Sequence, residues 1–94
     1  MMASVLNGFI ESLRTQGVGF ITGVPDSVLK YFCRYIESDK AFCAHRVAAN
    51  EGAAVGLALG HYLARATLPL VYMQNSGLGN AVNPLMSMVH KDVC

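Results

Sequence analysis

The stretch RVAANEGAAVGLALGHYLA, residues 46–64, decides how this chain folds. Asn50 belongs to the residue types that cap helix N-termini, and the residues after it are mostly small or apolar. We therefore predict a helix that follows Asn50 and reaches about Arg65. The only carboxyl group in the stretch belongs to Glu51. Isolated acids are rarely buried unless they are paired or have a task, so this residue needs an explanation.

The position of Glu51 allows two interpretations. In a first helical turn, a carboxylate interacts favourably with the helix dipole, typically by about 0.3–1 kcal/mol. Alternatively, an apolar slot raises the pKa of the carboxyl group, which then donates or shares a proton. Gly52, Gly56 and Gly60 form a bare ridge along the same helix, and an interior glycine costs roughly 1 kcal/mol relative to alanine. We expect a neighbouring backbone or a ligand to come very near this ridge.

Helix and strand patterns alternate on both sides of this stretch. Strands are predicted from short apolar runs and helices from apolar residues at helical spacing. The predicted elements are helix 4–16, strand 18–23, turn 24–27, a helix through residue 36, strand 42–48, helix 51–65, strand 68–74, loop 75–80 and helix 78–90. This alternation predicts an α/β fold, a three-layer α/β/α sandwich with a parallel sheet.

The composition excludes several classes of function. Of the 94 residues, 53% are hydrophobic and 14% are charged, and the mean hydropathy is +0.39, so we expect apolar faces that meet a partner domain or subunit. A net charge of +1 without a basic cluster argues against nucleic-acid binding. The longest apolar region is interrupted by polar residues, which argues against a membrane span. Three cysteines without C-x-x-C spacing fit reduced thiols in the cytoplasm better than a zinc site.

Polar side chains follow the predicted strands, where open α/β sheets bind ligands. Gln74, Asn75 and Asn80 follow the third strand, and Asp26 follows the first. Each has a structural alternative, because the loop residues are ordinary turn formers and Asp26 can cap a helix. A dinucleotide fingerprint fails at Val82, where its third glycine is required.

Three segments in this order resemble a known family. They are GVPDS at 23–27, HRVAANEGAAVGLALGHYLA at 45–64, and LPLVYMQNSGLGNAVNPLMSM at 68–88. Together they resemble the N-terminal part of the phosphonopyruvate decarboxylases and the α chain of the sulfopyruvate decarboxylases. Both groups are thiamine-diphosphate-dependent decarboxylases, and the matching region is their pyrimidine-binding domain.

The resemblance implies roles for the candidate residues. The glutamate that matches Glu51 hydrogen-bonds N1′ of the cofactor's aminopyrimidine and favours the tautomer that deprotonates the thiazolium C2. Asp26 matches an acidic residue of the active-site loop that assists proton transfer. Gln74, Asn75 and Asn80 would line the cofactor or substrate pocket.

The resemblance also implies what lies outside these residues. The family binds the diphosphate through Mg²⁺ in a second domain, whose motif this sequence lacks, and the site forms between domains of different subunits. We therefore expect residues 1–94 to be a truncated pyrimidine-binding domain that needs a diphosphate-binding domain or subunit and functions in a homo-oligomer. The implied substrate is a 2-oxo acid carrying a phosphonate, with a sulfonate as the alternative. A non-catalytic fragment or interaction module is the alternative from another class.

Overall fold

A computed structural model describes residues 2–27, 29–38 and 44–88 of the chain. Strands and helices alternate along it. The helices are α1 (Met2–Thr15), α2 (Lys30–Ser38), α3 (Glu51–Arg65) and α4 (Leu78–Met88), and the strands are β1 (Val18–Gly23), β2 (Ala44–Val47) and β3 (Leu68–Tyr72). A short 3₁₀ turn, Asn75–Gly77, leads into α4. Cys43, Cys94 and His90 lie outside the described residues, as do the predicted ends of the second strand and the last helix.

The three strands form a parallel sheet in the order β2-β1-β3. The central strand separates two layers because alternate side chains of a strand point to opposite faces. Ile21 packs with Ile10 of α1 and Ile36 of α2 on one face. On the other face, Phe20 stacks on His61 of α3, with ring centroids 4.7 Å apart. The predicted α/β fold, with a parallel sheet and helices on both faces, is confirmed.

Helix α3 packs on the sheet through Ala54, Val55 and Ala58, which are buried. Helix α4 packs in turn on α3, with Ala81 buried. Small side chains dominate this layer, so the two helices can lie close to each other. At Gly52 a Cβ atom would stand 3.0 Å from the backbone oxygen of Asn80. The expected close approach to the glycine ridge is therefore found at this position.

The other two ridge positions differ from that expectation. A Cβ atom built on Gly56 or Gly60 would meet nothing within 4 Å among the described residues. Both glycines lie on an exposed face of α3. In the part of the chain that the structure describes, no helix is both long and apolar enough to cross a membrane.

Candidate functional site

The carboxyl ends of the three strands meet at one edge of the sheet. Val47, the last residue of β2, and Tyr72, the last residue of β3, both pair with Gly23 at the end of β1. In an open α/β sheet this edge is where ligands bind. The loops and helix starts that follow the three strands carry every predicted site residue: Asp26, Glu51, Gln74, Asn75 and Asn80.

Glu51 is the first residue of α3, and its position is fixed by the cap before it. The Asn50 side chain accepts a hydrogen bond of 2.8 Å from the backbone N–H of Ala53, which makes Asn50 the N-cap as predicted. The Nδ2 atom of Asn80 donates to Oε1 of Glu51 over 2.9 Å. This bond joins the starts of α3 and α4, and it brings together two of the predicted site residues.

Gly77 provides the space in which the Glu51 carboxyl group lies. Gly77 is buried, and a Cβ atom at its position would stand 2.7 Å from both Cγ and Oε2 of Glu51. Such a distance is shorter than real Cβ atoms tolerate, so any side chain here would displace the carboxyl group. Gly77 belongs to the run that fails as a dinucleotide fingerprint at Val82, and its contact with Glu51 was not predicted.

Of the two interpretations of Glu51, the raised pKa is not found in the described residues. In that interpretation, an apolar slot raises the pKa of the carboxyl group and keeps it protonated. Instead, the hydrogen bond from Asn80 and a second one from the backbone N–H of Glu51 hold its pKa below the ordinary value of 4.5, against a smaller desolvation effect. Glu51 is only partly buried, so donors to the charged form decide the direction. At neutral pH the group is therefore a carboxylate.

Asp26 acts as a cap and also retains an unused acceptor. Its Oδ1 atom accepts a hydrogen bond of 2.7 Å from the backbone N–H of Leu29, just before α2, as the capping interpretation predicts. Its Oδ2 atom is buried without a hydrogen-bond partner among the described residues. A buried carboxylate oxygen without a partner is costly, and it needs a physical reason.

Gln74 and Asn75 lie at the same edge but do not contact Glu51 through a hydrogen bond among the described residues. Nε2 of Gln74 donates to Oγ of Ser76 over 2.5 Å, and Asn75 begins the 3₁₀ turn. Both side chains are exposed at the edge. They are therefore accessible to a ligand, whereas Asn80 is already engaged with Glu51.

These groups fit a planar, nitrogen-containing ring better than a metal ion. Glu51 offers a partly exposed carboxylate oxygen beside the backbone of Gly77, and Asp26 offers a buried acceptor without a partner. Exposed amides at Gln74 and Asn75 can donate or accept. Within residues 2–27, 29–38 and 44–88, no three histidine, cysteine, aspartate or glutamate side chains cluster closely enough to hold a metal.

Comparisons with known proteins identify the family of the chain. The family described as "Thiamine pyrophosphate enzyme, N-terminal TPP binding domain" matches residues 4–93. The chain is 37% identical over 79 residues to "Sulfopyruvate decarboxylase subunit alpha" of Methanococcus maripaludis, covering 84% of this chain and 46% of that protein. It is 39% identical over 81 residues to "Phosphonopyruvate decarboxylase" of Streptomyces hygroscopicus, covering 86% of this chain and 20% of that protein.

The chain spans less than half the length of these curated relatives. No solved structure matches it. The family match nevertheless covers nearly all 94 residues, including each strand end and each predicted site residue. The chain therefore belongs to the thiamine pyrophosphate enzymes, and it matches their N-terminal TPP binding domain.

Proposed function

We propose that the protein containing these residues is a carboxy-lyase that uses thiamine diphosphate to convert 3-phosphonopyruvate to phosphonoacetaldehyde and CO₂. The observation that carries this proposal is the Glu51 carboxylate, held by Asn80 at the ligand-binding edge of a parallel sheet. The family match and the two groups of decarboxylase relatives support the same reaction type.

Glu51 and its neighbours would hold the pyrimidine half of the cofactor. Thiamine diphosphate, when bound, supplies the electron sink for cleavage of the carbon–carbon bond. Glu51 would bind the ring nitrogen N1′ and share a proton with it, while Asn80 fixes the orientation of the carboxylate. A ring bound over Glu51 would displace water from the carboxylate. Because burial disfavours the charged form, the pKa of Glu51, which Asn80 lowers in the absence of the ring, would then rise. Gln74 and Asn75 would line the pocket.

The decisive test is Glu51→Gln in the assembled protein, with its diphosphate-binding partner, Mg²⁺ and cofactor. Loss of the titrating group should slow hydrogen–deuterium exchange at the cofactor C2 by about 10²–10⁴-fold, the usual contribution of general acid–base catalysis. NMR of quenched samples measures this rate. Glu11→Gln is the matched control because Glu11 is an exposed carboxylate on α1, paired with Arg14. An exchange rate in Glu51→Gln equal to that of the control would contradict the proposal.

Asp26 provides a second test, because its capping and catalytic roles can be separated. Asp26→Asn keeps a capping oxygen for the N–H of Leu29, and asparagine caps about as well as aspartate. Thermal stability should therefore stay within a few tenths of a kcal/mol, while turnover falls by about 10²-fold or more if Oδ2 takes part in proton transfer. Calorimetry and steady-state kinetics measure the two effects. Unchanged turnover would leave Asp26 with the capping role alone.

The remaining parts of the site would come from other residues. We propose that a diphosphate-binding domain or subunit holds Mg²⁺ and the diphosphate, and that the protein works as a cytoplasmic homo-oligomer. The lack of a metal-ligand cluster among the described residues supports a separate metal site, and the name "subunit alpha" of one relative supports a partner subunit.

Sulfopyruvate is the second candidate substrate. Relatives from three methanogens with this substrate in their names are 34–37% identical to the chain, close to the 37–39% of the phosphonopyruvate decarboxylases. Parallel assays of CO₂ release from phosphonopyruvate and sulfopyruvate, compared as kcat/KM, decide between them. The third candidate is a non-catalytic interaction module. Partner binding without CO₂ release from either substrate would favour it over both enzymes.

A further inference from the structure

The side chain of His45 forms hydrogen bonds with two other side chains, and it lies on β2, the strand that precedes Asn50 and Glu51. Its Nδ1 atom lies 2.5 Å from Oε1 of Glu37, and its Nε2 atom lies 2.7 Å from the hydroxyl of Tyr72. Only 5% of the His45 side chain is exposed. Building on the function proposed above, we infer that His45 is a positioning residue, whose bond to Tyr72 fixes the relative positions of Glu51 and Asn80.

The bond to Tyr72 connects the two outer strands of the sheet across the central one. His45 lies on β2 and Tyr72 ends β3, with β1 between them. The Tyr72 ring lies over Gly23, where a Cβ atom would stand 2.6 Å from Cδ2 of the ring. A glycine at this position is therefore required for the ring to pass over β1. Phe32 supports the ring from α2 in an edge-to-face contact, with centroids 5.7 Å apart.

The donors and acceptors in this chain of bonds are well defined. A carboxylate of Glu37 can only accept, so Nδ1 of His45 carries a hydrogen and Nε2 faces the phenol. Burial raises the pKa of Tyr72 above its ordinary range, and a hydrogen bond with Cys33 and the negative charge of Glu37 act in the same direction. The phenol therefore keeps its proton and can donate it to Nε2 in the tautomer that carries its hydrogen on Nδ1. Each polar atom of the imidazole has a partner.

Strand β2 has few other contacts that fix its position. Its other three residues, Ala44, Arg46 and Val47, are exposed, and it is an edge strand of four residues. Besides the sheet ladder, the Thr22 hydroxyl donates to its backbone at the carbonyl of Arg46 over 2.6 Å. Among residues 44–47, His45 is therefore the one buried side chain, and it lies on the face of the sheet that packs on α1 and α2.

We call the bond between His45 and Tyr72 the bridge. Both of its residues lie a short distance along the chain from the candidate site. Asn50 and Glu51 follow β2 through a loop of two residues, Ala48 and Ala49. After Tyr72, the segment 73–79 leads directly to Asn80. A shift of β2 against β3 would therefore lengthen the bond between Glu51 and Asn80. Misplacement by about 1 Å can cost about 10²-fold in rate.

Two substitutions of His45 distinguish a positioning role of the His45–Tyr72 bond from a role of burial alone. The longer amide of His45→Gln can place a donor or acceptor where Nε2 lies, whereas the amide of His45→Asn reaches only the position of Nδ1. We expect His45→Asn to lower kcat of the assembled, cofactor-loaded protein by about 10-fold to 10²-fold, and His45→Gln to retain most of it. Equal effects of the two variants, or no effect of His45→Asn, would overturn the inference.

A second readout does not depend on activity. In the assembled protein, the ¹⁵N–¹H resonances of the Asn80 side-chain amide should shift in His45→Asn and stay near the wild-type position in His45→Gln. Tyr72→Phe keeps the ring, removes the hydroxyl and should reproduce the shift, which preserves the test if His45→Asn fails to fold. Tyr35→Phe, which removes a hydroxyl bonded to Asn7, is the control and should leave Asn80 unchanged.

The two readouts distinguish failure of this inference from failure of the proposed function. If Glu51→Gln keeps full activity while His45→Asn shifts the Asn80 amide, the bridge exists and the proposed function is wrong. If Glu51→Gln is inactive while neither His45→Asn nor Tyr72→Phe moves the Asn80 amide, the function stands and the positioning role of His45 is wrong.

Discussion

Glu51 fits the first of the two interpretations that its sequence position left open, since it lies in the first turn of α3, where the helix dipole favours a carboxylate. It also lies at the carboxyl edge of the sheet, where open α/β sheets bind ligands. Asn80 lowers the pKa of the carboxyl group in the open site, and removal of water by a bound ring would raise it. A carboxylate whose pKa can change between these two states is suited to sharing a proton with a ring nitrogen.

Asn80→Ala tests the source of the lowered pKa. Because the Asn80 amide is the largest cause, its loss should raise the pKa of Glu51 towards 4.5. Titration of the Glu51 ¹³Cδ resonance measures this change. Asn83→Ala removes an exposed amide from the same helix and should leave the Glu51 titration unchanged. The same pKa in Asn80→Ala and wild type would contradict the assignment.

The pH dependence of stability follows from the same shift. A carboxyl group whose folded-state pKa lies below its unfolded value stabilises the fold above the unfolded value of 4.5. That contribution is lost as the pH falls through the lower folded-state pKa. Denaturant unfolding below pH 4.5 should therefore show a steeper loss of stability in the wild type than in Asn80→Ala. A steeper loss in the variant would reverse the sign of the argument.

At the scale of elements, local chemistry made α3 and β1 predictable. The Asn50 cap and the basic residue in the last turn gave both ends of α3, at Glu51 and Arg65. The β-branched run of β1 likewise gave its bounds, Val18–Gly23. Strand β2 was less predictable because the polar residues His45 and Arg46 lie near the end of its apolar run, and in the structure its side chains are mostly exposed and it pairs with β1.

The contacts of the site depend on packing between elements, which a single sequence does not reveal. The bond between Glu51 and Asn80 joins residues 29 positions apart and requires α4 to pack on α3. The direction of the Glu51 pKa depends on how much of the side chain is exposed, which spacing cannot give. The bond between Tyr72 and His45 crosses β1 at Gly23, where a Cβ atom would overlap both the Tyr72 ring and its backbone oxygen. The position of the candidate residues at the strand ends was therefore predictable, but their bonds were not.

Gly77 and Gly79 offer a matched pair for testing the packing between elements. In Gly77→Ala, the new Cβ atom would stand 2.7 Å from the Glu51 carboxyl group, so the bond to Asn80 should break. In Gly79→Ala, the Cβ atom meets nothing within 4 Å among the described residues, and the helix should gain about 1 kcal/mol. Calorimetry and the Asn80 side-chain amide resonances measure both effects. Similar Asn80 resonances in the two variants would contradict the role of Gly77.

At the scale of the whole molecule, α3 and α4 each leave apolar or side-chain-free positions exposed within the described chain. On α4, Leu78, Val82 and Met86 follow one another at helical spacing, and their side chains are 49%, 51% and 69% exposed. On α3, the bare positions Gly56 and Gly60 are open. We call these five residues the α3/α4 face. Leu78 lies two residues before Asn80 at the start of α4, so a domain seated on this end of the helix would also border the proposed site.

The last prediction concerns what covers this α3/α4 face. If a partner supplies the diphosphate-binding half of the site, as proposed above, the 94-residue chain by itself should not decarboxylate either substrate, even with saturating thiamine diphosphate and Mg²⁺. Adding a diphosphate-binding partner should restore CO₂ release. If that partner seats on the α3/α4 face, Gly56→Ala or Gly60→Ala should weaken its binding, since a Cβ atom prevents close approach of a second backbone.

In the chain without its partner, Gly56→Ala and Gly60→Ala should raise stability, although they weaken binding of the partner. Nothing within 4 Å opposes a Cβ atom at either position among the described residues, so each alanine should stabilise α3 by about 1 kcal/mol. Gly8→Ala is the matched control because Gly8 is an exposed, equally open glycine of α1, and it should stabilise the chain without weakening the partner. Calorimetric titration with the partner measures affinity, and thermal unfolding measures stability. Weaker binding in the α3 variants despite higher stability would place the partner on this face, and equal affinities in all three variants would place it elsewhere.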